Sequence, residues 1–221
     1  MLEFLFDLVY LLIYYPIGML FAFTHGLRIE GSVRIPKSGP VLIVANHQSY
    51  LDIVLSGLAS KRRIYFLAKK PLWNNRFLGW VMDRFETVPV DITGFSRSGL
   101  DGALAHLKKG HMFVIFPEGE RTYDGKLSPL KPGVSLLVRR VQAPIVPLAI
   151  AGAFDAMPRS EKTLRFAPLF LPWRKPRIAI CVGEPIDGKM LSQRPREEML
   201  AVLHEAMEKA LKRAEFLRGN R

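Results

Sequence analysis

The stretch "VLIVANHQSYLDIVL", residues 41–55, decides the fold predicted for this chain. Its first five residues are apolar and rich in β-branched side chains, which is typical of a strand buried on both faces of a sheet. Polar residues follow at 46–49, and a helix is predicted from about residue 49 to residue 60. A buried strand that leads directly into a helix is the repeating unit of proteins built on a parallel sheet.

The rest of the chain continues this alternation of strands and helices. We therefore predict an α/β protein with a single mostly parallel sheet flanked by helices. In such a sheet, functional side chains are expected at the carboxyl ends of the strands. Further strands are predicted at residues 63–68, 88–90, 111–116, 144–152 and 177–183, and further helices at residues 100–109, 133–141 and from 196 onward.

His47 and Asp52 stand five positions apart where the first strand gives way to the helix. On one helix they would point roughly 140° apart, so they meet only if His47 lies in the loop and Asp52 in the first helical turn. A carboxylate on one imidazole nitrogen would then leave the other nitrogen as a general base. Alternatively, Ser49 and Asp52 fit a capping box, with Ser49 as the N-cap residue. The cap explains Ser49 and Asp52 but leaves His47 without a role.

A second polar loop, "FPEGERT" at residues 116–122, follows another predicted strand. Gly119 lets the backbone approach a ligand closely. Glu118 can accept a hydrogen bond from a substrate hydroxyl, and Arg121 offers a planar fork for a phosphate group. An ordinary turn would explain the Pro-Glu-Gly sequence alone, but two such loops after two parallel strands indicate a shared site.

The composition indicates anionic partners. The chain has 221 residues and a formal charge of +12, so anionic lipid, phosphorylated substrates or nucleic acid are the partners to consider. We expect no nucleic acid, because the chain has no basic tail, zinc-finger spacing or aromatic RNA-binding signature. Cys181 is the only cysteine, which excludes an intrachain disulfide.

The apolar N-terminus, residues 1–23, predicts a membrane-associating helical segment. Glu3 and Asp7 make it acidic, unlike a signal peptide, and Pro16 interrupts it. Its uncharged part falls a little short of the roughly 20 apolar residues of a spanning helix. We expect a kinked or paired helix that lies in one leaflet, with a single span, or a core helix of a soluble protein, as the alternatives.

The predicted organisation is therefore an N-terminal membrane-associating segment at residues 1–30 and a catalytic domain at residues 31–221. By the positive-inside rule, the basic residues after the apolar segment would keep the domain on the cytoplasmic face of the inner membrane. These basic residues are Arg28, Arg34 and Lys37.

"NHQSYLD" and "FPEGERT", in this order, resemble the motifs of the glycerolipid acyltransferases, in particular the 1-acylglycerol-3-phosphate O-acyltransferase family with its HX4D motif. "IVPLAI", residues 145–150, resembles a third family element. The resemblance implies a glycerolipid acyltransferase-like fold. It also implies transfer of a fatty acyl group from acyl-CoA or acyl-carrier protein to the free hydroxyl of 1-acyl-sn-glycerol-3-phosphate, giving phosphatidic acid. No metal or further cofactor is implied.

Carried over to this chain, the resemblance makes His47 the general base and Asp52 the residue that orients it. It assigns substrate binding to Glu118 and Arg121, to which we add Gly119, Thr122 and Lys69. Four further residues are expected to shape the site without reacting. They are Asn46, Ser49, Pro117 and Pro147.

The sequence departs from the family pattern at Ile92, where the family has a phosphate-binding arginine. The missing cation could be replaced from four positions, or the acceptor could be a lysophospholipid with a singly charged phosphodiester, such as lysophosphatidylethanolamine. A non-catalytic lipid-binding protein of the same fold is a further alternative. The four candidate cations are Arg84, Arg97, Lys126 and Lys131.

Overall fold

The computed structural model describes residues 2–91, 97–161, 163–165 and 177–219, with side chains from residue 12 onward. Within these ranges, seven strands form one sheet in the order β1-β7-β6-β2-β5-β3-β4. The strands are β1 (Arg28–Glu30), β2 (Val41–Ala45), β3 (Ile64–Lys69), β4 (Val88–Val90), β5 (Met112–Ile115), β6 (Ile145–Ala151) and β7 (Ala179–Val182).

The sheet is mostly parallel, as predicted. Strands β6, β2, β5, β3 and β4 run in one direction. Strand β7 is antiparallel to β6, and β1 pairs with β7 in parallel. Strand β1 lies within the range 1–30 that the sequence assigns to the N-terminal segment, so the sheet begins earlier than this boundary.

Helices cover both faces of the sheet. On one face, the core around Ile43 and Leu55 includes residues of the first two helices and is flanked by Met82 of the third. On the other, the core around Phe113 includes Leu137 and Met199 of later helices. The helices are α1 (Leu2–His25), α2 (Leu51–Ser60), α3 (Arg76–Arg84), α4 (Arg97–Lys108), α5 (Val134–Val138), α6 (Ala153–Ala156), α7 (Gly188–Ser192) and α8 (Arg196–Arg218), with 3₁₀ turns at Ser32–Arg34 and Lys70–Asn74.

Strand β2 occupies the centre of the sheet, as its continuous apolar run predicts. All five of its residues are buried, and it pairs with β5 on one side and β6 on the other. Helix α2 begins at Leu51, two residues later than predicted, because Tyr50 takes the cap position and Ser49 remains in the loop.

Helix α1 is a single helix that contains Pro16. The Tyr14 hydroxyl donates a 2.6 Å hydrogen bond to the carbonyl of Leu58 in α2, and Phe21 is buried in the core. Apolar side chains on α1 are nevertheless exposed, among them Leu12, Tyr15, Met19 and Phe23 at 63–70%. Among the helices in the described part of the chain, none is both long and apolar enough to cross a membrane.

Candidate active site

The site lies where β2 and β5 end side by side at the centre of the sheet. Asn46, the first residue after β2, holds the neighbouring strand β6 through its side chain. Its amide nitrogen donates to the Ile150 carbonyl at 2.9 Å, and its amide oxygen accepts from the Ile150 N–H at 2.7 Å. These two bonds satisfy the N–H and carbonyl groups of Ile150, which lies beyond the end of β2. The chain can therefore leave the sheet at His47.

His47 and Asp52 form a hydrogen-bonded pair, with 2.8 Å between Nδ1 of His47 and Oδ2 of Asp52. The same Oδ2 atom accepts from the backbone N–H groups of Gln48 at 2.6 Å and Ser49 at 2.8 Å. The side chain of Asp52 is fully buried, whereas that of His47 is about one-fifth exposed. Asp52 is therefore a fixed acceptor that orients the imidazole, and Nε2 is the ring nitrogen not engaged by it.

The environment of Asp52 acts on its charge in two directions. Burial raises the pKa of Asp52, while the hydrogen bond and charge of His47 and the two backbone N–H groups oppose that rise. The second oxygen, Oδ1, is buried and has no hydrogen-bond partner among the described residues.

The helix-cap and catalytic interpretations of Asp52 turn out to be compatible. The carboxylate accepts the Ser49 N–H, as in a capping box, with the same oxygen that binds His47. The Ser49 hydroxyl accepts from the N–H of Leu51 at 3.2 Å and donates to the carbonyl of Met157 at 2.8 Å. Ser49 therefore also ties the loop after α6 to the site.

The imidazole of His47 is held from one face as well. Its ring stacks on Phe116, the first residue after β5, with 4.1 Å between centroids and 17° between planes. Together with the bond to Asp52, this contact fixes both the position and the plane of the ring.

Glu118 joins the two strand-end loops. Its Oε1 accepts the His47 N–H at 2.7 Å, and its Oε2 accepts the Ser128 N–H at 2.7 Å. The N–H of Thr122 in turn donates to the carbonyl of His47 at 2.8 Å. Burial raises the pKa of Glu118 to about 7, although the N–H groups of Ser128 and His47 favour the ionised form. These bonds make Glu118 a support for the loop of His47; the predicted contact with substrate stays a prediction.

Arg121 presents a cation beside Tyr50, the N-cap residue of α2. Its Cζ atom lies 3.7 Å from the centroid of the Tyr50 ring. Its Nη1 atom is buried and has no hydrogen-bond partner in the described ranges. A stacked guanidinium with an unused donor suits an anionic group of a ligand.

The other predicted site residues have more varied positions. Gly119 has φ +77°, and a Cβ atom there would approach Lys131 Cγ to 3.2 Å. Pro117 is buried and accepts the Lys131 N–H, and Pro147 lies within β6 in register with Val44 of β2. Lys69 is exposed at the carboxyl end of β3, next to β5 in the sheet.

The candidate replacements for the missing cation are dispersed. Ile92 itself lies outside the described residues. Arg84 ends α3 and Arg97 begins α4. Lys126 and Lys131 are exposed in the segment after the second loop. In the described ranges, no group of three or more His, Cys, Asp or Glu residues is placed to hold a metal ion.

Three contributors to the site were not predicted from the sequence. Phe116 stacks on His47, and Gln48 donates to the Gly125 carbonyl at 2.8 Å, which ties the first loop to the second. Arg159 reaches the second loop from the segment after α6 and donates to the carbonyl of Arg121 at 2.9 Å. Phe116 and Gln48 belong to the two motifs, whereas no motif marks Arg159.

A parallel sheet that presents a histidine–aspartate pair and an arginine at its carboxyl edge has the architecture expected of an acyltransferase. The family model described as acyltransferase matches residues 26–151, more than half of the chain. The chain belongs to this acyltransferase family. The expected resemblance and the expected class of enzyme, a transferase, are thereby confirmed.

Named relatives make the resemblance more specific. The chain is 27% identical over 191 residues to a 1-acyl-sn-glycerol-3-phosphate acyltransferase of Bacillus subtilis (strain 168), covering 86% of this chain and 88% of the relative. It is 32% identical over 169 residues to the chloroplastic 1-acyl-sn-glycerol-3-phosphate acyltransferase LPAT1 of Arabidopsis thaliana, covering 74% of this chain but only 44% of that longer protein.

A solved structure shows the same fold. The crystal structure of the 1-acyl-sn-glycerophosphate (LPA) acyltransferase PlsC from Thermotoga maritima superposes with a TM-score of 0.71 at 27% identity. The match covers 91% of this chain and 76% of the Thermotoga chain. The predicted mostly parallel sheet flanked by helices is confirmed by this similarity.

Proposed function

We propose that this protein transfers a fatty acyl group from acyl-CoA or acyl-carrier protein to the free hydroxyl of 1-acyl-sn-glycerol-3-phosphate, giving phosphatidic acid. The observation that carries the proposal is the His47–Asp52 pair, with 2.8 Å between Nδ1 and Oδ2, at the sheet edge that also presents Arg121. The names of the similar proteins from Bacillus and Thermotoga support the same acceptor.

In this mechanism, His47 Nε2 takes the proton of the acceptor hydroxyl while the hydroxyl oxygen attacks the carbonyl carbon of the thioester. A C–O bond forms and the C–S bond breaks. The thiol leaves readily because its pKa is about 8.5, and the proton on His47 neutralises the departing thiolate. The buried carboxylate of Asp52 stabilises the imidazolium that forms between these two transfers. The scheme uses no metal and no cofactor beyond the acyl donor.

The acceptor is held through its phosphate. The guanidinium of Arg121 is stacked on Tyr50 and has a buried donor without a partner among the described residues, so it can form charge-assisted hydrogen bonds to phosphate oxygens. Glu118 and Thr122 both form hydrogen bonds with the backbone of His47. These bonds keep the loop that carries Arg121 in a fixed position relative to the base.

The test is an assay of the purified protein in detergent with a labelled acyl thioester and a panel of lysophospholipids. We expect phosphatidic acid from lysophosphatidate, and a fall in turnover of roughly 10²–10⁴ in the His47→Ala variant. Parallel reactions with acyl-CoA and acyl-carrier protein identify the donor, and a chelator tests independence from metal. Near-normal turnover by a folded His47→Ala variant would exclude His47 as the base.

We also propose that α1 (Leu2–His25) attaches the catalytic domain to the surface of the inner membrane on its cytoplasmic face. The exposed apolar side chains of α1 suit the interfacial region of a bilayer, and the positive charge of the chain suits anionic lipid. Helix α3 presents two more exposed rings, Phe77 and Trp80, on the same face of the sheet as α1. Attachment would bring the site to the lipids that it acylates.

A further inference from the structure

Arg159 reaches the second loop of the site from a part of the chain that carries no recognised motif. Its Nη1 atom donates to the carbonyl of Arg121 and to Oε2 of Glu120, each at 2.9 Å. Its Cζ atom lies 4.2 Å from the centroid of the Tyr123 ring. The segment that carries it is itself anchored to the site, because the Ser49 hydroxyl donates to the carbonyl of Met157.

The two arginines lie on the same side of the site. Arg121 stacks on the ring of Tyr50, and Arg159 donates to the backbone carbonyl of the same Arg121. Both cations are therefore attached to the second loop of the site.

This arrangement bears on the charge of the acceptor. A phosphate monoester carries about 1.5–2 negative charges near neutral pH, whereas a phosphodiester carries one. Arg121 alone balances a phosphodiester, and position 92, an isoleucine in this chain, supplies no second cation. Lys69, the other cation predicted to bind substrate, is exposed at the end of β3. An anion removed from water requires nearby opposite charge.

We infer that Arg159 is the second cation of the acceptor site and that, together with Arg121, it selects a phosphate monoester over a phosphodiester. This inference rests on the proposed function.

Glu120 makes it possible to distinguish phosphate binding by Arg159 from a purely structural role. Its carboxylate pairs with Arg159 and offsets part of the positive charge offered to a phosphate. Both side chains of this pair are partly exposed, at 33% and 46%, so the ion pair itself contributes little to stability. If Arg159 binds phosphate, removal of Arg159 and removal of Glu120 have opposite effects. If the pair only braces the loop, both removals have the same effect.

The experiment compares kcat/KM for lysophosphatidate, a monoester, with that for lysophosphatidylglycerol, a diester, in micelles of neutral detergent. We expect Arg159→Gln to lower the ratio of the two values about tenfold, mainly through the KM for lysophosphatidate, since a charge-assisted hydrogen bond is lost. Arg159→Lys should restore most of the ratio, and Glu120→Gln should raise it. Arg165→Gln is the matched control, because Arg165 pairs only with Glu161 among the contacts described for its side chain.

Three results would overturn the inference while leaving the proposed function intact. One is an equal loss on both acceptors in Arg159→Gln. Another is a fall of the ratio in Glu120→Gln that matches the fall in Arg159→Gln. The third is a fall in Lys69→Gln or Lys131→Gln with none in Arg159→Gln, which would assign the role to that lysine. A wild-type protein that acylates neither lysophospholipid would instead overturn the proposed function and the inference with it. Thermal unfolding of each variant confirms that the comparison is made on folded protein.

Discussion

Replacing Asp52 by asparagine separates the two tasks of its carboxylate, orienting His47 and capping the start of α2. Oδ2 accepts three hydrogen bonds, from His47, Gln48 and Ser49, whereas Oδ1 is buried without a partner among the described residues. If the oxygen of the new amide takes the place of Oδ2, the two backbone donors keep their acceptor. The amide nitrogen then takes the place of Oδ1, where the described residues offer it no acceptor.

The stability cost follows from these contacts. A buried donor without an acceptor costs about 1–3 kcal/mol. Burial raises the pKa of Asp52, so the neutral amide recovers part of the cost of burying a charge. We expect a net loss of about 1–2 kcal/mol, which lowers Tm by roughly 2–8 °C for a domain of this size.

The activity cost should be much larger. A neutral amide cannot stabilise the imidazolium that forms on His47, so we expect turnover to fall by roughly 10²–10⁴. Acyl transfer to lysophosphatidate and thermal unfolding are measured on the same preparations. Ser49→Ala is the control, because it removes the hydroxyl bonds to Leu51 and Met157 but keeps the His47–Asp52 pair. An Asp52→Asn protein with the Tm loss and the activity of Ser49→Ala would reduce Asp52 to a helix cap and refute the mechanism.

Three further predictions concern the acceptor, the membrane and pH. Arg121→Ala should raise the KM for lysophosphatidate roughly tenfold to a hundredfold, from the loss of a charge-assisted hydrogen bond, with kcat much less affected; an unchanged KM would remove Arg121 from the acceptor site. Changing Leu12, Tyr15, Met19 and Phe23 of α1 to serine should release the protein from anionic vesicles. Phe216→Ser, at an equally exposed position on α8, should not release it. Release of the wild type by salt alone would show that charge rather than apolar burial holds the protein. The pKa of Glu118 is raised to about 7 in the folded protein, so its contribution to the free energy of unfolding should fall as pH rises from about 4.5 to 7, by up to about 3 kcal/mol. Urea unfolding of Glu118→Gln should show a flatter pH dependence than the wild type, and identical slopes would contradict this assignment.

The sequence was sufficient for the centre of the fold because the decisive signals there are local. Strand β2 is a continuous apolar run, and its central position buries every residue of it. His47 and Asp52 are so close in sequence that one loop and one helical turn determine whether they meet. The second loop follows the parallel neighbour of β2, so its place beside His47 follows from the order of the strands.

Strand β1 and helix α3 were not predicted from the sequence, whereas the edge strand β4 was predicted at residues 88–90. Strand β1 has three residues, two of them charged, and it is recognisable only through its pairing with β7. Helix α3 has apolar residues both on its exposed side, at Phe77 and Trp80, and on its inner side, at Met82. At nine residues, α3 is also shorter than the window of about 11 to 18 residues over which helical periodicity is judged. The Asn75 side chain starts the helix by accepting the N–H groups of Phe77 and Leu78.

The role of Glu118 shows why residue type alone is a poor guide to what a side chain touches. A glutamate in a glycine-containing loop after a strand suggests a ligand contact, yet both carboxylate oxygens here accept backbone N–H groups from separate segments. A neutral glutamine would have to place a donor against one of these two donors. The hydrogen bonds of the two loops thus favour an ionised carboxylate at this position, and burial opposes it.

The sequence motifs reveal Arg121 but not Arg159. Arg121 could be placed from the sequence because it lies three residues after Glu118, whose position is fixed by β5. Arg159 depends on the path of the chain after β6 and on the bond between Ser49 and Met157, and neither leaves a sequence signal. A phosphate site requires a sum of charges rather than a particular position for each. An isoleucine at position 92 therefore does not by itself imply a weaker site, because a cation from another loop can supply the same charge beside the same ligand.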